Sequence, residues 1–468
     1  MESRDVVILG AGISGSSTAI RLLQAGITPL MVDQSDFPRD TTGEGISPAI
    51  TKYLAELGIL DEINKPPFVK KRSFQFVAPN GSKGYTAVDL DKEPYKGGIH
   101  SYPWGFNVHR LHFDMVFQNR ARVLGAEIRL KTTARSLVLD SEGAVTGVLL
   151  ADAQGRETAV RTRLVIDCSG RHSMVARQLD LRGPLEHVFD GQWANFAVRC
   201  HFRNVNLKPL ERDNPRYDPA TVNIFPGNDC WYWFIPINLD QGLISIGFVA
   251  RAKMHRIFDG SENKKEAYRE LMGRHPVLRQ VIAGADLDDN IAATGRLGHM
   301  NTRMSGAGFM CVGDAAFFAD PAWGTGVTIA LGSSKEAANT AVAAIREEDF
   351  SAEFLAQYER NYRGFIRNPF NSIRAYNYYY NDSDYINFLV GRLEKNQRDM
   401  DMLGAVLFDY ISHDAFHDWT FREFKAYVRE TGRMPVMEKV SQLDFDTGRF
   451  ADGTTGMATR PLAAVAEG

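Results

Sequence analysis

The chain has 468 residues, 44% of them hydrophobic and 24% charged, with a formal net charge of −3. That length exceeds what one hydrophobic core serves and calls for two lobes or large insertions, and the near-neutral charge leaves no footprint for nucleic acid or an anionic membrane. No apolar run reaches the ~18 residues that span a bilayer, the first strand starts too early to leave room for a signal peptide, and Cys168, Cys200, Cys230 and Cys311 form no Cys-x-x-Cys pair, so a reduced, metal-free cytoplasmic protein is expected.

The β-branched run Asp5-Val6-Val7-Ile8-Leu9 predicts a buried strand. Gly10, Gly12 and Gly15 then form a Gly-x-Gly-x-x-Gly turn, and Ile13 and Ser14 open a helix whose inner face carries Ala19, Leu22 and Leu23. In such a turn the first glycine permits the bend, the second lets backbone approach a pyrophosphate, and the third lets helix and strand pack closely. The phosphates sit against unpaired N–H groups at the helix start. Residues 27–32 predict a second parallel strand ending at Asp33, about the ~20 residues downstream expected for a carboxylate that grips a ribose hydroxyl.

Residues 37–48 read as a loop ending in a Ser47 N-cap, with Pro48 opening a helix to about residue 57 whose inner face holds Ile50, Tyr53, Leu54 and Leu57. Alternation from residue 72 onward predicts a strand, with Lys70 and Lys71 just before it. Residues 80–100 read as a polar surface excursion. Arg110 enters a helix over 111–124 with Phe113, Val116, Phe117 and Ala121 inward and Gly125 at its end. Strands separated by turns at 140–143 and 152–155 fill residues 126–167.

A second, antiparallel sheet is expected from 194–202, 221–225, 231–236 and 243–250, a plausible floor for a substrate pocket. Residues 308–312 predict a short buried strand, and the loop 319–327 starts a helix to about 346. From 351 to 432 the pattern is helical, and the Gly-, Thr- and Ala-rich tail after 440 is expected to fray or lie over the surface.

Two strand ends, at Gly10 and at Gly313-Asp314, would each offer backbone to one long cofactor. Asp314 could accept from a ribityl or ribose hydroxyl, a helix opening at Gly324–Val327 would aim N–H groups at the electron-rich end of an isoalloxazine ring, and Arg110 is a third clamp. This arrangement favours FAD over NAD.

The ordered motifs Gly-x-Gly-x-x-Gly, Arg-Leu-x-Phe-Asp (110–114), Asp-x-Ser-Gly (167–170), Gly-Asp-Ala-Ala (313–316) and Asp-Pro-x-x-x-x-Gly-Val (320–327) resemble the FAD-binding fold of aromatic hydroxylases, prenyl reductases and flavin-dependent halogenases. Trp231-Tyr232-Trp233-Phe234-Ile235-Pro236 matches the halogenase signature Trp-x-Trp-x-Ile-Pro, and the resemblance covers about residues 5–335. It implies an α/β, Rossmann-like FAD-binding fold of the aromatic hydroxylase type, with an inserted antiparallel β-sheet and a C-terminal helical region.

Function follows as an expectation of the same resemblance. A separate flavin reductase supplies FADH2, O2 and chloride or bromide give hypohalous acid, and a lysine holds the oxidised halogen beside an aromatic substrate. The family's lysine follows a Gly-Glu loop and precedes a phenylalanine by five residues, which selects Lys71 through Gly43-Glu44 and Phe76. A buried lysine of depressed pKa suits a nucleophilic amine. The halide falls on the N–H groups of Thr325 and Gly326, with Gly326 and Val327 also facing the cofactor. Trp231 and Trp233 separate flavin from substrate, which prevents direct hydroxylation.

Departures narrow the substrate. Trp323 stands where tryptophan halogenases carry a glutamate, which points to phenols or pyrroles; Gly324-Thr325 replaces the Ser-Ser or Ser-Thr common in that group. Arg171-His172 does not reproduce the hydroxylases' Asp-Gly pattern, which weakens direct use of NADPH, yet a single-component monooxygenase or reductase of the same fold stays open as the alternative.

The expected division is an FAD-binding part over 1–189 that includes the Lys71 segment, a substrate-side sheet over 190–300, a return over 301–346, a helical lid over 347–440 and a tail over 441–468. Tyr376, Tyr378, Tyr379, Tyr380, Tyr385, Phe388, Phe408, Tyr410, Phe416 and Trp419 either line a substrate tunnel or, the favoured reading for any one of them, make helix–helix core. No basic stripe announces a docking surface, so a carrier-tethered substrate and a homodimer are both left open.

Overall fold

In the computed structural model the first strand, Glu2–Leu9, is the centre of a largely parallel sheet. The structure describes residues 2–96, 102–184, 195–228, 230–250, 254, 258–295, 297–379, 382–408, 414–435, 443–444 and 449–450, with the side chains of 184, 374–379, 443–444 and 449–450 outside that set. The first strand pairs in parallel with Leu30–Val32 on one side and Glu157–Asp167 on the other. Glu127–Arg129 extends one edge, and Phe309–Cys311 returns to extend the other. Val6, Val7 and Ile8 are fully buried because helices cover both faces, which is why this strand is continuously apolar rather than alternating. The helices Ile13–Gln24 and Gly326–Glu347 pack against one another beside this sheet.

The second sheet runs in the order Asp286–Leu287, Phe196–Arg203, Leu243–Ala250, Cys230–Asn238, Val222–Pro226, Ser73–Val77 and Lys83–Ala87. Its neighbours are antiparallel except Val222–Pro226 with Ser73–Val77. Two expectations change here. The strand begun near residue 72 lies in this substrate-side sheet rather than with the nucleotide sheet, and the supposed surface excursion contributes its edge strand, with Gly84, Tyr85 and Thr86 buried. Polar composition concealed that strand because Ser383–Lys395 and Gln397–Leu407 pack over it.

Both faces of the second sheet are covered, and its alternation sorts side chains accordingly. Tyr232 and Phe234 join a core with Tyr268, Leu271 and Leu278 from the outer helices, whereas Trp231 and Trp233 join the core shared with the nucleotide lobe.

A small third sheet links the two lobes. Its central strand, Gly105–Asn107, pairs with Gly45–Ile46 and with Val69–Lys71. Gly105 is required there, since a Cβ would fall 2.0 Å from the Ile46 carbonyl oxygen. The helical region comprises Ala352–Tyr379, Ser383–Lys395, Gln397–Leu407 and Asp414–Thr431. Tyr385, Phe408, Phe416 and Trp419 are buried in it, Phe388 is half-buried, and the side chains of Tyr376, Tyr378, Tyr379, Tyr380 and Tyr410 lie outside the described residues. Most of the tail lies outside them too, apart from the paired segments Leu443–Asp444 and Arg449–Phe450. No helix among the described residues is long and apolar enough to cross a membrane. No disulfide joins the four cysteines.

Candidate active site

The glycine turn has the geometry of a pyrophosphate cradle. Gly10 has φ +105°, and a Cβ there would lie 2.3 Å from the Cys168 carbonyl oxygen; one on Gly15 would lie 1.9 Å from the Gly10 carbonyl oxygen. Gly12 differs, because its Cβ would meet only the flexible end of Arg39. The helix start therefore packs tightly behind and stays open in front. Gly12 caps the helix without a side chain, leaving the N–H groups of Ile13 and Ser14 for an anion. Asp33 is buried and accepts from Ala11 N–H and Ser35 N–H, each at 2.8 Å, one bond to each carboxylate oxygen.

The second cofactor loop folds against the first: a Cβ on Gly313, whose φ is +59°, would lie 2.5 Å from Ser14 Oγ. Asp314 receives no hydrogen bond on its carboxyl from the described residues, while its carbonyl accepts from His299 at 2.9 Å. Burial raises the Asp314 carboxyl to about 6, opposed by the nearby Arg171 and Arg110. Arg110 itself forks onto Asp114 at 2.6 and 2.9 Å and donates to the Thr42 carbonyl at 2.7 Å. The expected clamp thus spends its donors on protein, and secures the 42–43 loop to the helix.

At the start of the long helix, Gly324 is left-handed (φ +62°) and Thr325, the buried N-cap, makes no side-chain cap bond. The first-turn N–H groups are available to an anion, with Val327 buried behind them. Thr328, which sequence reasoning missed, adds a buried hydroxyl with no hydrogen-bond partner in the same turn. Gly324 also touches the Gly-Glu loop, since a Cβ there would lie 3.0 Å from the Gly45 carbonyl oxygen.

Lys71 is in a strand, and it is only 7% exposed. Strand alternation turns Lys70 and Lys71 to opposite faces. The Lys70 ammonium lies over the Trp104 ring at 4.5 Å, whereas that of Lys71 lies 5.3 Å from the Phe408 ring centroid. Next to Phe408, Leu407 lines a cavity of about 10 Å³ with Phe74, Phe76, Ile224, Trp231 and Trp323. That space is too small for an aromatic ring. Trp231 and Trp233 are buried side by side, ring centroids 5.7 Å apart.

Beneath the tryptophans lies a charged network that sequence reasoning did not assemble. The Trp233 indole donates to Ser245 Oγ at 3.2 Å, and Ser245 donates to Glu44 Oε2 at 2.6 Å. Glu44 Oε1 contacts His201 Nε2 at 2.8 Å and Arg199 at 3.5 Å, and Arg199 reaches Asp40 at 2.6 Å. The His109 ring lies 5.2 Å from that of His201, tilted 49° to it, and burial lowers the His109 pKa, with His201 adding to the effect. The available signal was Arg199 and His201 two residues apart within a largely apolar strand, which places both on one face.

Two glycine loops shaped for a dinucleotide and a helix start open to an anion define a flavoprotein of the FAD-binding fold. A family model described as FAD binding domain matches residues 3–368, and the chain belongs to that family. It is 27% identical over 384 residues to the 1H-pyrrole-2-carbonyl-[peptidyl-carrier protein] chlorinase of Pseudomonas fluorescens, covering 80% of this chain and 83% of the relative. It is 26% identical to the corresponding brominase of Pseudoalteromonas luteoviolacea, covering 76% and 81%. The solved structure of the flavin-dependent brominase Bmp2 superposes with a TM-score of 0.72 at 20% identity, covering 92% of this chain and all of that one. Within the FAD-binding family, the chain is thus similar to flavin-dependent halogenases that act on carrier-linked pyrroles.

Proposed function

We propose that the protein halogenates an electron-rich phenolic or pyrrolic ring, with Lys71 holding the oxidised halogen. Bound FADH2, supplied by a separate reductase, provides with O2 the oxidant that converts chloride or bromide to hypohalous acid. Thr325 and Gly326 N–H groups hold the halide, and the Trp231–Trp233 wall keeps the ring from the flavin. The Lys71 ammonium donates to the oxygen of hypohalous acid and orients its halogen to the ring. A ring carbon takes the halogen as the halogen–oxygen bond breaks, and the departing hydroxide combines with the displaced ring proton as water. A phenol or pyrrole supplies its own activation for that proton loss. The carrier-linked pyrrole in the names of both relatives supports a ring delivered as a thioester.

The observation that carries this reading is the burial of Lys71 beside Phe408, one residue from the wall that Trp231 and Trp323 share. Lys71→Ala, assayed with a flavin reductase, bromide and a phenol/pyrrole panel, should lose ring halogenation by about 100-fold or more, within the range for one acid–base group. Flavin oxidation should continue. Wild-type product formation in Lys71→Ala with a hypohalous acid scavenger present would refute the lysine's role. Rapid unassisted NADPH oxidation by the purified protein would instead favour the monooxygenase alternative.

A further inference from the structure

The helices Ser383–Lys395, Gln397–Leu407 and Asp414–Thr431 enclose an open groove of about 1110 Å³. The cations around it come from three separate helices. Arg392 and Arg422 are neutralised locally, Arg392 by Glu423 and Glu430, Arg422 by Asp399 and Glu423. Lys395, Arg398, Lys425 and Arg429 are exposed along the rim and have no carboxylate partner among the described residues, although Asp418 also lines the groove. On a chain of net charge −3 this is a local positive surface.

The floor leads inward. Trp419 lines the groove and is 1% exposed, and its indole N–H donates to no described group, an expense that an occupant with a carbonyl would relieve. Its ring lies 6.5 Å from Phe416, which meets Trp323 of the halide loop edge-on at 4.7 Å. The rim and the reaction chamber are therefore two ends of the same helices. Nine residues separate Arg398 from Leu407 and Lys425 from Phe416, roughly 14 Å along each axis.

We propose that this groove docks an acidic carrier protein: the rim cations meet its carboxylates, the Trp419 N–H meets an amide carbonyl of its phosphopantetheine arm, and the ring reaches the chamber below Leu407. The inference rests on the halogenase reading and adds how the substrate is delivered. Charge complementarity chooses this occupant, because a rim of unpaired cations would oppose a second copy of the same rim.

The test uses the full chain with a flavin reductase and bromide, and three probes: pyrrole-2-carbonyl on a purified peptidyl carrier domain, the same acyl group on pantetheine, and free pyrrole-2-carboxylate. For the quadruple variant K395E/R398E/K425E/R429E, KM for the carrier-bound ring should rise about tenfold or more and lose its salt dependence. Its rates on pantetheine thioester should stay at the wild-type level. Trp419→Phe should weaken both arm-bearing probes and spare the free acid. Unchanged carrier kinetics in the quadruple variant, or a wild type indifferent to the carrier, would overturn the docking proposal alone, as would a change in oligomeric mass on charge reversal. A wild type that halogenates a ring of the phenol/pyrrole panel but none of these probes would overturn the docking proposal, and one that halogenates neither would overturn the halogenase reading beneath it.

Discussion

Ser245 donates to Glu44 across 2.6 Å, and that one bond ties the strand Leu243–Ala250, neighbour of the signature strand, to the Gly-Glu loop. On the other side of Ser245 hangs the Trp233 indole, and on the other side of Glu44 the pair His201 and Arg199. The tryptophan partition thus stands on a carboxylate that is 2% exposed. Removing one partner of a buried charge pair leaves the rest uncompensated. Glu44→Ala should lower stability by about 3–5 kcal/mol, whereas Ser245→Ala should cost about 1–2 kcal/mol and alter tryptophan fluorescence. Urea unfolding of both variants checks this; equal costs would show that the charges below Ser245 are not coupled to Glu44.

The three glycines of the first loop should separate by role. Gly15→Ala forces a Cβ to 1.9 Å from the Gly10 carbonyl oxygen and should impair folding itself. Gly12→Ala meets only the end of Arg39, so the protein should fold with stability within about 1 kcal/mol of wild type, as a tolerated small change does. It should nevertheless lose FAD affinity by about tenfold or more, a cost of at least ~1.4 kcal/mol. Flavin titration beside thermal unfolding distinguishes the two outcomes.

Thr328 places a hydroxyl where the protein gives it no partner. Thr328→Val keeps the shape and removes the orphan, so stability should hold or rise by about 1 kcal/mol. If the hydroxyl serves the halide, the apparent KM for bromide should increase several-fold while flavin affinity stays constant. Steady-state halogenation against bromide concentration reads this directly.

Asp320 is buried, accepts from Ala322 N–H and Asn195, and its carboxyl is raised to about 6 by burial, despite those bonds. The folded state therefore holds this proton more tightly than the unfolded chain. Its stabilising contribution is complete below about pH 3.8 and is lost as pH rises through about 6. Asp320→Asn, which can still accept from Ala322, does not titrate. Relative to wild type it should gain roughly 2–3 kcal/mol between pH 4 and 7. Urea midpoints at both pH values measure the gain, and a pH-independent difference would contradict the assignment.

Local order carried the nucleotide loops, the Ser47 cap, the Arg110 helix and the long strands of the second sheet, because each is a short-range pattern of apolar period and glycine. Lys71 was selected by motif spacing, but its burial was invisible: it depends on Phe408, 337 positions away in the chain. The same holds for Glu44, whose partners come from the strands Phe196–Arg203 and Leu243–Ala250. Lys83–Ala87 read as surface because its cover is supplied by helices some 300 residues later. Likewise, no basic stripe is legible along the chain, since Lys395, Arg398, Lys425 and Arg429 converge only when separate helices pack. Period and spacing are properties of neighbours in sequence, so the chain alone determined the flavin fold and the residue types of its chemistry. Desolvation and charge pairing are set by neighbours in space, and only the tertiary structure decided which of those residues are buried, held or left to face a partner.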